Sequence, residues 1–126
     1  SKEELLPQCD YLSLHIPLTP ETKDFIAAKE LASMPKGARV LNVARGGVVN
    51  ESDLAQALTS GHIAGAGLDV FTHEPHVPKA LFELDNVVLT PHIGSATAET
   101  RQDMASLFFD NLRQFIASGT LKTPVS

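Results

Sequence analysis

The sequence predicts an α/β domain, a parallel sheet of about four strands with flanking helices. Three observations carry that expectation. Apolar runs of strand length alternate with patterns of helical spacing, one such run is almost unbroken, and 126 residues are enough chain for one real core. Strand, helix, strand, helix, strand, strand, helix is the order of a parallel sheet wound by right-handed crossovers.

Tyr11-Leu12-Ser13-Leu14-His15-Ile16 reads as the first strand, stopped by Pro17. Thr19-Pro20-Glu21 then reads as a helix start: a hydroxyl cap, proline in the first turn and an acid near the positive helix end. Phe25, Ile26, Leu31 and Met34 would form its apolar side, and Pro35-Lys36-Gly37 its end. The run from Ala38 to Ala44 is the second strand, so continuously apolar after Arg39 that cover on both faces is expected. The turn Arg45-Gly46-Gly47 leads to a helix capped at Asn50 or Ser52, with Leu54, Ala57 and Leu58 inward and Gly61 at its exit. Ile63 to Val70 is the third strand, its Gly65 and Gly67 allowing something to pack close to the backbone. Phe71 to Asn86 reads as irregular chain, and Val87 to Thr90 as the fourth strand. From about Thr97 to Ser118, Met104, Leu107, Phe108, Leu112, Phe115 and Ile116 recur at helical spacing.

Composition removes several classes of function. An apolar fraction of 43% with 20% charged residues is that of a folded globular chain. The net charge of −5, with Lys and Arg only ever single, argues against nucleic acid or an anionic membrane as partner. Cys9 alone can form no internal disulfide and no CxxC metal knuckle, and it suits a reducing cytoplasm. No apolar run approaches the roughly 20 residues of a membrane span, and no basic-then-apolar leader is expected.

Ligands of parallel α/β sheets bind beyond the carboxyl ends of the strands. There the second strand ends in Arg45, the third in Asp69 with Glu74 five positions on, and the fourth in Pro91-His92-Ile93-Gly94-Ser95. A guanidinium grips a carboxylate or polarises a carbonyl with a permanent charge. An imidazole gives or takes a proton near neutral pH, and a carboxylate on its other nitrogen fixes its tautomer. Singly, a strand-end arginine is ordinarily solvated, a glutamate before proline is an ordinary loop acid, and His92 serves equally as a helix cap. Their placement at successive strand ends points instead to a site. His15 faces the same cleft with less weight, and His62 reads as exposed in a turn. His73 and His76 lack a third ligand, so no metal site is expected, and Cys9 reads as a buried thiol.

Four blocks of sequence resemble the D-isomer-specific 2-hydroxyacid dehydrogenases, in the family's order and spacing over almost the whole chain. They are Leu14 to Thr22, Leu41 to Gly47, Ala66 to Phe71 with Glu74-Pro75, and Leu89 to Thr97. The wording from Pro91 to Thr97 is most similar to the glyoxylate/hydroxypyruvate reductase and 2-ketoacid reductase branch. The resemblance implies the second half of a Rossmann-type NAD(P)-binding domain and hydride transfer between NAD(P)H and a small 2-keto acid. It implies a catalytic trio: Arg45 on the carboxylate and keto oxygen, His92 as general acid, and Glu74 bonded to His92 and raising its basicity. It also implies that Ile16, Val43, Ala44, Arg45, Asp69, His92, Ile93, Gly94 and Ser95 contact the nicotinamide half of NAD or NADP.

The family's GxGxxG fingerprint is missing: Arg45-Gly46-Gly47 has the wrong spacing, and Gly65-Ala66-Gly67 lies inside a strand. Residues 1–126 are therefore expected to be the carboxyl-terminal half of a dinucleotide-binding domain, the helix at about 97–118 returning toward a substrate domain outside this chain. Without the helix end that holds the pyrophosphate, the chain alone is expected to bind NAD(P)H weakly or not at all and to lack reductase activity. The open edge of the first strand is expected to drive self-association into a homo-oligomer. The alternative is a non-catalytic α/β half-domain that folds or self-associates without cofactor. A GxGxxG in the hundred or so residues encoded before Ser1 would decide for the enzyme.

Overall fold

A computed structural model describes residues 1–125, which divide into two compact units, Ser1–His92 and a second that begins at Ile93. The first unit holds the sheet. Its elements are α1 (Lys2–Leu5), a 3-10 turn (Leu6–Gln8), β1 (Tyr11–Leu14), α2 (Ala28–Ser33), β2 (Ala38–Asn42), α3 (Glu51–Thr59), β3 (Ile63–Leu68), α4 (Lys79–Phe82) and β4 (Val87–Leu89). All four strands are parallel and lie side by side in the order β1-β2-β3-β4. The predicted parallel α/β sheet is what the chain forms.

That order explains one departure from expectation. β2 alternates buried and exposed, with Ala38, Val40 and Asn42 inward and Arg39 and Leu41 outward, so it is covered on one face and not on both. Right-handed crossovers that always step the same way across a sheet place every connecting helix on the same face. Ile26, Leu31, Leu54, Leu58 and Leu81 accordingly pack with Leu12, Leu14, Val40, Ile63 and Leu68 into a single core. On the opposite face Tyr11 and Val88 are more than half exposed. β1 pairs only with β2, and among the described residues its other edge carries no strand.

The helix expected from Thr19 does not form; only Ala28–Ser33 is helical. The Thr22 amide does bond to Thr19 Oγ1, as a cap would have it, but Thr22 Oγ1 turns back to the Pro17 carbonyl at 2.7 Å. Asp24 then adopts φ +52 and donates its amide to the Gly47 carbonyl, while the Ile26 amide bonds to Val48. Tertiary backbone partners have taken the groups that a first helical turn needs. Strand ends are also shorter than expected: β1 stops at Leu14, β2 at Asn42, β3 at Leu68 and β4 at Leu89. Within the stretch expected to be irregular, Lys79–Phe82 is a short helix whose Leu81 is fully buried. α1 went unanticipated; it is tied down by Lys2, whose Nζ bonds to the Phe25 carbonyl and pairs with Glu30, each at 3.0 Å.

α3 is capped by Asn50, whose side chain accepts the Asp53 amide at 3.1 Å, and it buries Leu54, Ala55 and Leu58. The second unit is α5 (Ala98–Ser118), capped by Thr97 and ended by Gly119 at φ +71. Its own C-terminal segment folds back on it through Asn111–Thr123 and Lys122–Asp110 bonds. No residue of α5 is buried: the stripe of Met104, Leu107, Phe108, Leu112, Phe115 and Ile116 stays largely exposed. No helix among the described residues is long and apolar enough to cross a membrane.

Candidate active site

The carboxyl ends of β2, β3 and β4 carry the polar residues, as the parallel topology requires. At the end of β2 the chain must leave the sheet while its last buried position is polar. Asn42 is 2% exposed and satisfies both ends of its amide locally: Oδ1 accepts the Ala44 amide at 3.1 Å, and Nδ2 donates to the Arg45 carbonyl at 3.0 Å. It holds the turn that presents Arg45. Arg45 donates one N–H to the Ala44 carbonyl and is otherwise exposed. Asn42→Ala removes both bonds from a buried position, and a loss of about 2 kcal/mol in urea-unfolding free energy is expected; a loss below ~0.5 kcal/mol would mean that the turn holds itself.

Arg45 opens onto a cleft of about 500 Å³ with His15, Ile16, Pro17, Leu18, Val43 and Ala44. Its walls mix aliphatic side chains with one cation, which suits a flat aromatic ring flanked by an anionic or amide group. The nicotinamide half of a dinucleotide fits that donor set; a phosphate cradle of backbone amides at a glycine-rich helix start is absent among the described residues. His15, given little weight above, lines this cleft with Nε2 bonded to Ser13 Oγ at 2.8 Å.

At the end of β3, Asp69 is buried at 8% exposure, and Thr90, just past the end of β4, donates its hydroxyl to Asp69 Oδ1. Thr90 was not singled out from the sequence. A hydroxyl two positions before His92 was the available signal.

Glu74 follows in the loop after β3, before a cis Glu74–Pro75 peptide. Its Oε1 accepts the Phe71 amide at 3.0 Å and its Oε2 meets His92 Nδ1 at 2.9 Å. A carboxylate can only accept, so His92 donates from Nδ1 and its Nε2 remains for other chemistry. His92 holds φ +54, a left-handed conformation uncommon outside glycine, which is the kind of backbone strain that clusters where a side chain must be aimed. Phe71, Pro75, Val77, Phe82 and Leu89 wall a hollow of about 230 Å³ that the pair borders.

The bond from His92, and secondly that from the Phe71 amide, hold the Glu74 carboxyl below the usual glutamate range. A lowered folded-state value means that the pair's contribution is complete above the ordinary glutamate value. It is lost only as pH falls through the lowered one. In a carbon-detected NMR titration, the Glu74 midpoint is therefore expected to rise in His92→Ala; an unmoved midpoint would contradict the pairing.

Of the residues expected in the site, the structure brings Glu74 and His92 into contact and places Ile16, Val43, Ala44 and Arg45 around one cleft, with Asp69 at the neighbouring strand end. Ile93, Gly94 and Ser95 belong to the second unit, where a turn is closed by the Ala96 amide on the Ile93 carbonyl at 3.0 Å. His62 is not the exposed turn residue expected: it is half-buried, its Nε2 3.1 Å from the Leu31 carbonyl. Cys9 is partly buried, its Sγ–H donating to the Tyr11 carbonyl. His73 and His76 bridge each other through backbone around the cis peptide.

Comparison with known proteins gives a consistent picture. The family described as D-isomer specific 2-hydroxyacid dehydrogenase, NAD binding domain, matches residues 1–94. A glyoxylate reductase of Thermococcus litoralis is 53% identical over 113 residues, covering 90% of this chain and 34% of that protein. A hydroxyphenylpyruvate reductase of Plectranthus scutellarioides is 47% identical over 123 residues, 97% of this chain and 39% of its own length. Among solved structures, the NADPH-dependent glyoxylate/hydroxypyruvate reductase of Sinorhizobium meliloti, in complex with NADP and malonate, superposes with a TM-score of 0.90 at 40% identity. It is matched over 100% of this chain and 40% of its own. The chain thus spans well under half the length of the relatives it matches.

Proposed function

Because the chain belongs to the D-isomer-specific 2-hydroxyacid dehydrogenases, through their NAD-binding domain, we propose that it supplies the catalytic half of an NAD(P)-linked reductase of small 2-keto acids of the glyoxylate or hydroxypyruvate type. The observation that carries the reading is the Glu74–His92 bond at the carboxyl edge of the sheet, which frees His92 Nε2. In this reading residues 1–126 are the carboxyl-terminal half of a dinucleotide-binding domain, and α5 returns toward a substrate domain.

Each side chain then has one task. Arg45, fixed by the Asn42-held turn, binds the substrate carboxylate with its fork and orients the keto oxygen. Protonated His92 gives its Nε2 proton to that oxygen, and in the reverse direction neutral His92 removes it. Glu74 keeps Nδ1 as a donor and stabilises the imidazolium. Ile16, Val43 and Ala44 wall the cleft in which a nicotinamide ring would lie, and Asp69, bonded by Thr90, would serve its amide; the family resemblance assigns Ile93, Gly94 and Ser95 to the same cofactor half. A bound NADPH or NADH supplies the hydride. The homologues' chemistry and the single unpaired thiol favour a cytoplasmic protein, and the open β1 edge favours a homo-oligomer.

A chimera tests the reading without depending on what the chain does alone. This chain replaces the matching segment of the Thermococcus litoralis glyoxylate reductase, and glyoxylate-dependent oxidation of NADH and of NADPH is followed. Turnover in the chimera that is abolished by Arg45→Ala is expected. A folded, nucleotide-binding chimera without turnover would sink the proposal.

A further inference from the structure

The loop that carries Glu74 is held by more than its own residues. Glu51, the first residue of α3, places Oε1 2.6 Å from the Thr72 amide nitrogen and 2.8 Å from Thr72 Oγ1. One carboxylate oxygen thus accepts both donors of the residue next to Phe71. The Phe71 amide in turn donates to Glu74 Oε1, and Glu74 Oε2 accepts from His92. A second, independent contact fixes the same two residues: Gly46, beside Arg45, packs so closely on them that a Cβ there would lie 2.0 Å from the Phe71 carbonyl carbon. The loop is clamped between the Arg45 turn and the first turn of α3.

We infer that Glu51 is a positioning residue for the acid–base pair: by holding both Thr72 donors it sets the path of the 71–74 loop, and through Glu74 the tautomer of His92. The inference rests on the reading of Glu74 and His92 as that pair. The logic is geometric. Glu74 reaches His92 from a loop outside the four strands, whose His73–His76 bridge is internal to the loop, and an unclamped loop samples positions in which Oε2 and Nδ1 are apart. Neutral imidazole without a Nδ1 acceptor reverts toward its Nε2–H form, which takes the lone pair away from the nitrogen that must handle the proton.

The chain labelled with 15N-histidine gives the readout. At a pH where the imidazoles are neutral, the His92 ring nitrogens, assigned by their loss in His92→Asn, report the Nδ1–H to Nε2–H ratio. Glu74→Ala is expected to reverse that ratio, and Glu51→Ala to lower it several-fold, with Thr72 amide exchange roughly tenfold faster. Glu51→Gln, which keeps an acceptor oxygen, is expected to restore most of it. Thr72→Val removes only the hydroxyl bond and decides the matter if Glu51→Ala does not fold; a smaller shift in the same direction is expected. If Glu74→Ala moves the ratio while folded Glu51→Ala and Thr72→Val keep the wild-type value, Glu51 merely stabilises the fold and the inference falls. If Glu74→Ala itself leaves the ratio unchanged, the acid–base pairing fails, and the inference with it.

Discussion

Gly46→Ala is expected to lower unfolding free energy by about 3 kcal/mol or more, a drop in Tm of roughly 10 °C for a domain of this size. The reason is not conformational freedom, since Gly46 is not among the glycines with positive φ. It is contact. An added Cβ would lie 2.0 Å from both the carbon and the oxygen of the Phe71 carbonyl and 2.5 Å from the Thr72 nitrogen. All three atoms are backbone, so no side chain can rotate away; either the Arg45 turn or the 71–74 loop must move. Gly47 is the natural control. It sits at φ +81 with the flexible end of Leu18 at 3.6 Å and Thr72 Oγ1 at 4.0 Å, both ordinary contact distances, so Gly47→Ala meets left-handed strain of about 1–2 kcal/mol without a collision. Urea unfolding of the two variants separates the terms. Equal losses would mean that the close approach relaxes freely and that the two halves of the site are not locked together.

The two glycines also mark where sequence reasoning reached and where it stopped. Reading Arg45-Gly46-Gly47 as a sharp turn that delivers an arginine to a cleft was possible because strand length, apolar continuity and glycine all act locally. The same local grammar misled at Thr19-Pro20-Glu21. Cap, proline and acid were present, but the amides of Asp24 and Ile26 found carbonyls of Gly47 and Val48, more than twenty residues away. Periodicity identified α5 and its stripe correctly, yet periodicity states only that a face is apolar and not what covers it. The uniform apolar character of β2 failed for a related reason: which face is buried follows from the direction of successive crossovers, a property of topology. In the proposed site, Arg45, Glu74 and His92 could be nominated from the sequence because each stands at a strand end or in a motif. Asn42, Thr90 and Glu51 were not, because a supporting residue is defined by the atom it touches across the chain. Asn42 left a trace as the one amide in an apolar run, and Thr90 as a hydroxyl two positions before His92.

In the chimera described above, His92→Asn is expected to lower kcat by about 10²–10⁴-fold while the KM for the keto acid changes little. Asparagine is the informative replacement. It tolerates the left-handed φ of +54 that position 92 requires, so the chain should fold as before. It retains an amide that can bond to Glu74 but offers no group that gives up a proton near neutral pH. The loss then measures proton transfer and not geometry. Glu74→Ala provides the second edge of a cycle. Glu74 touches His92 Nδ1 and the Phe71 amide and is assigned no contact with substrate, so its contribution passes through His92. Removing it should cost activity when His92 is present and almost nothing further when Asn stands there, a marked non-additivity. Additive losses would require Glu74 to act on the substrate directly, and the division of labour between the two side chains would have to be redrawn.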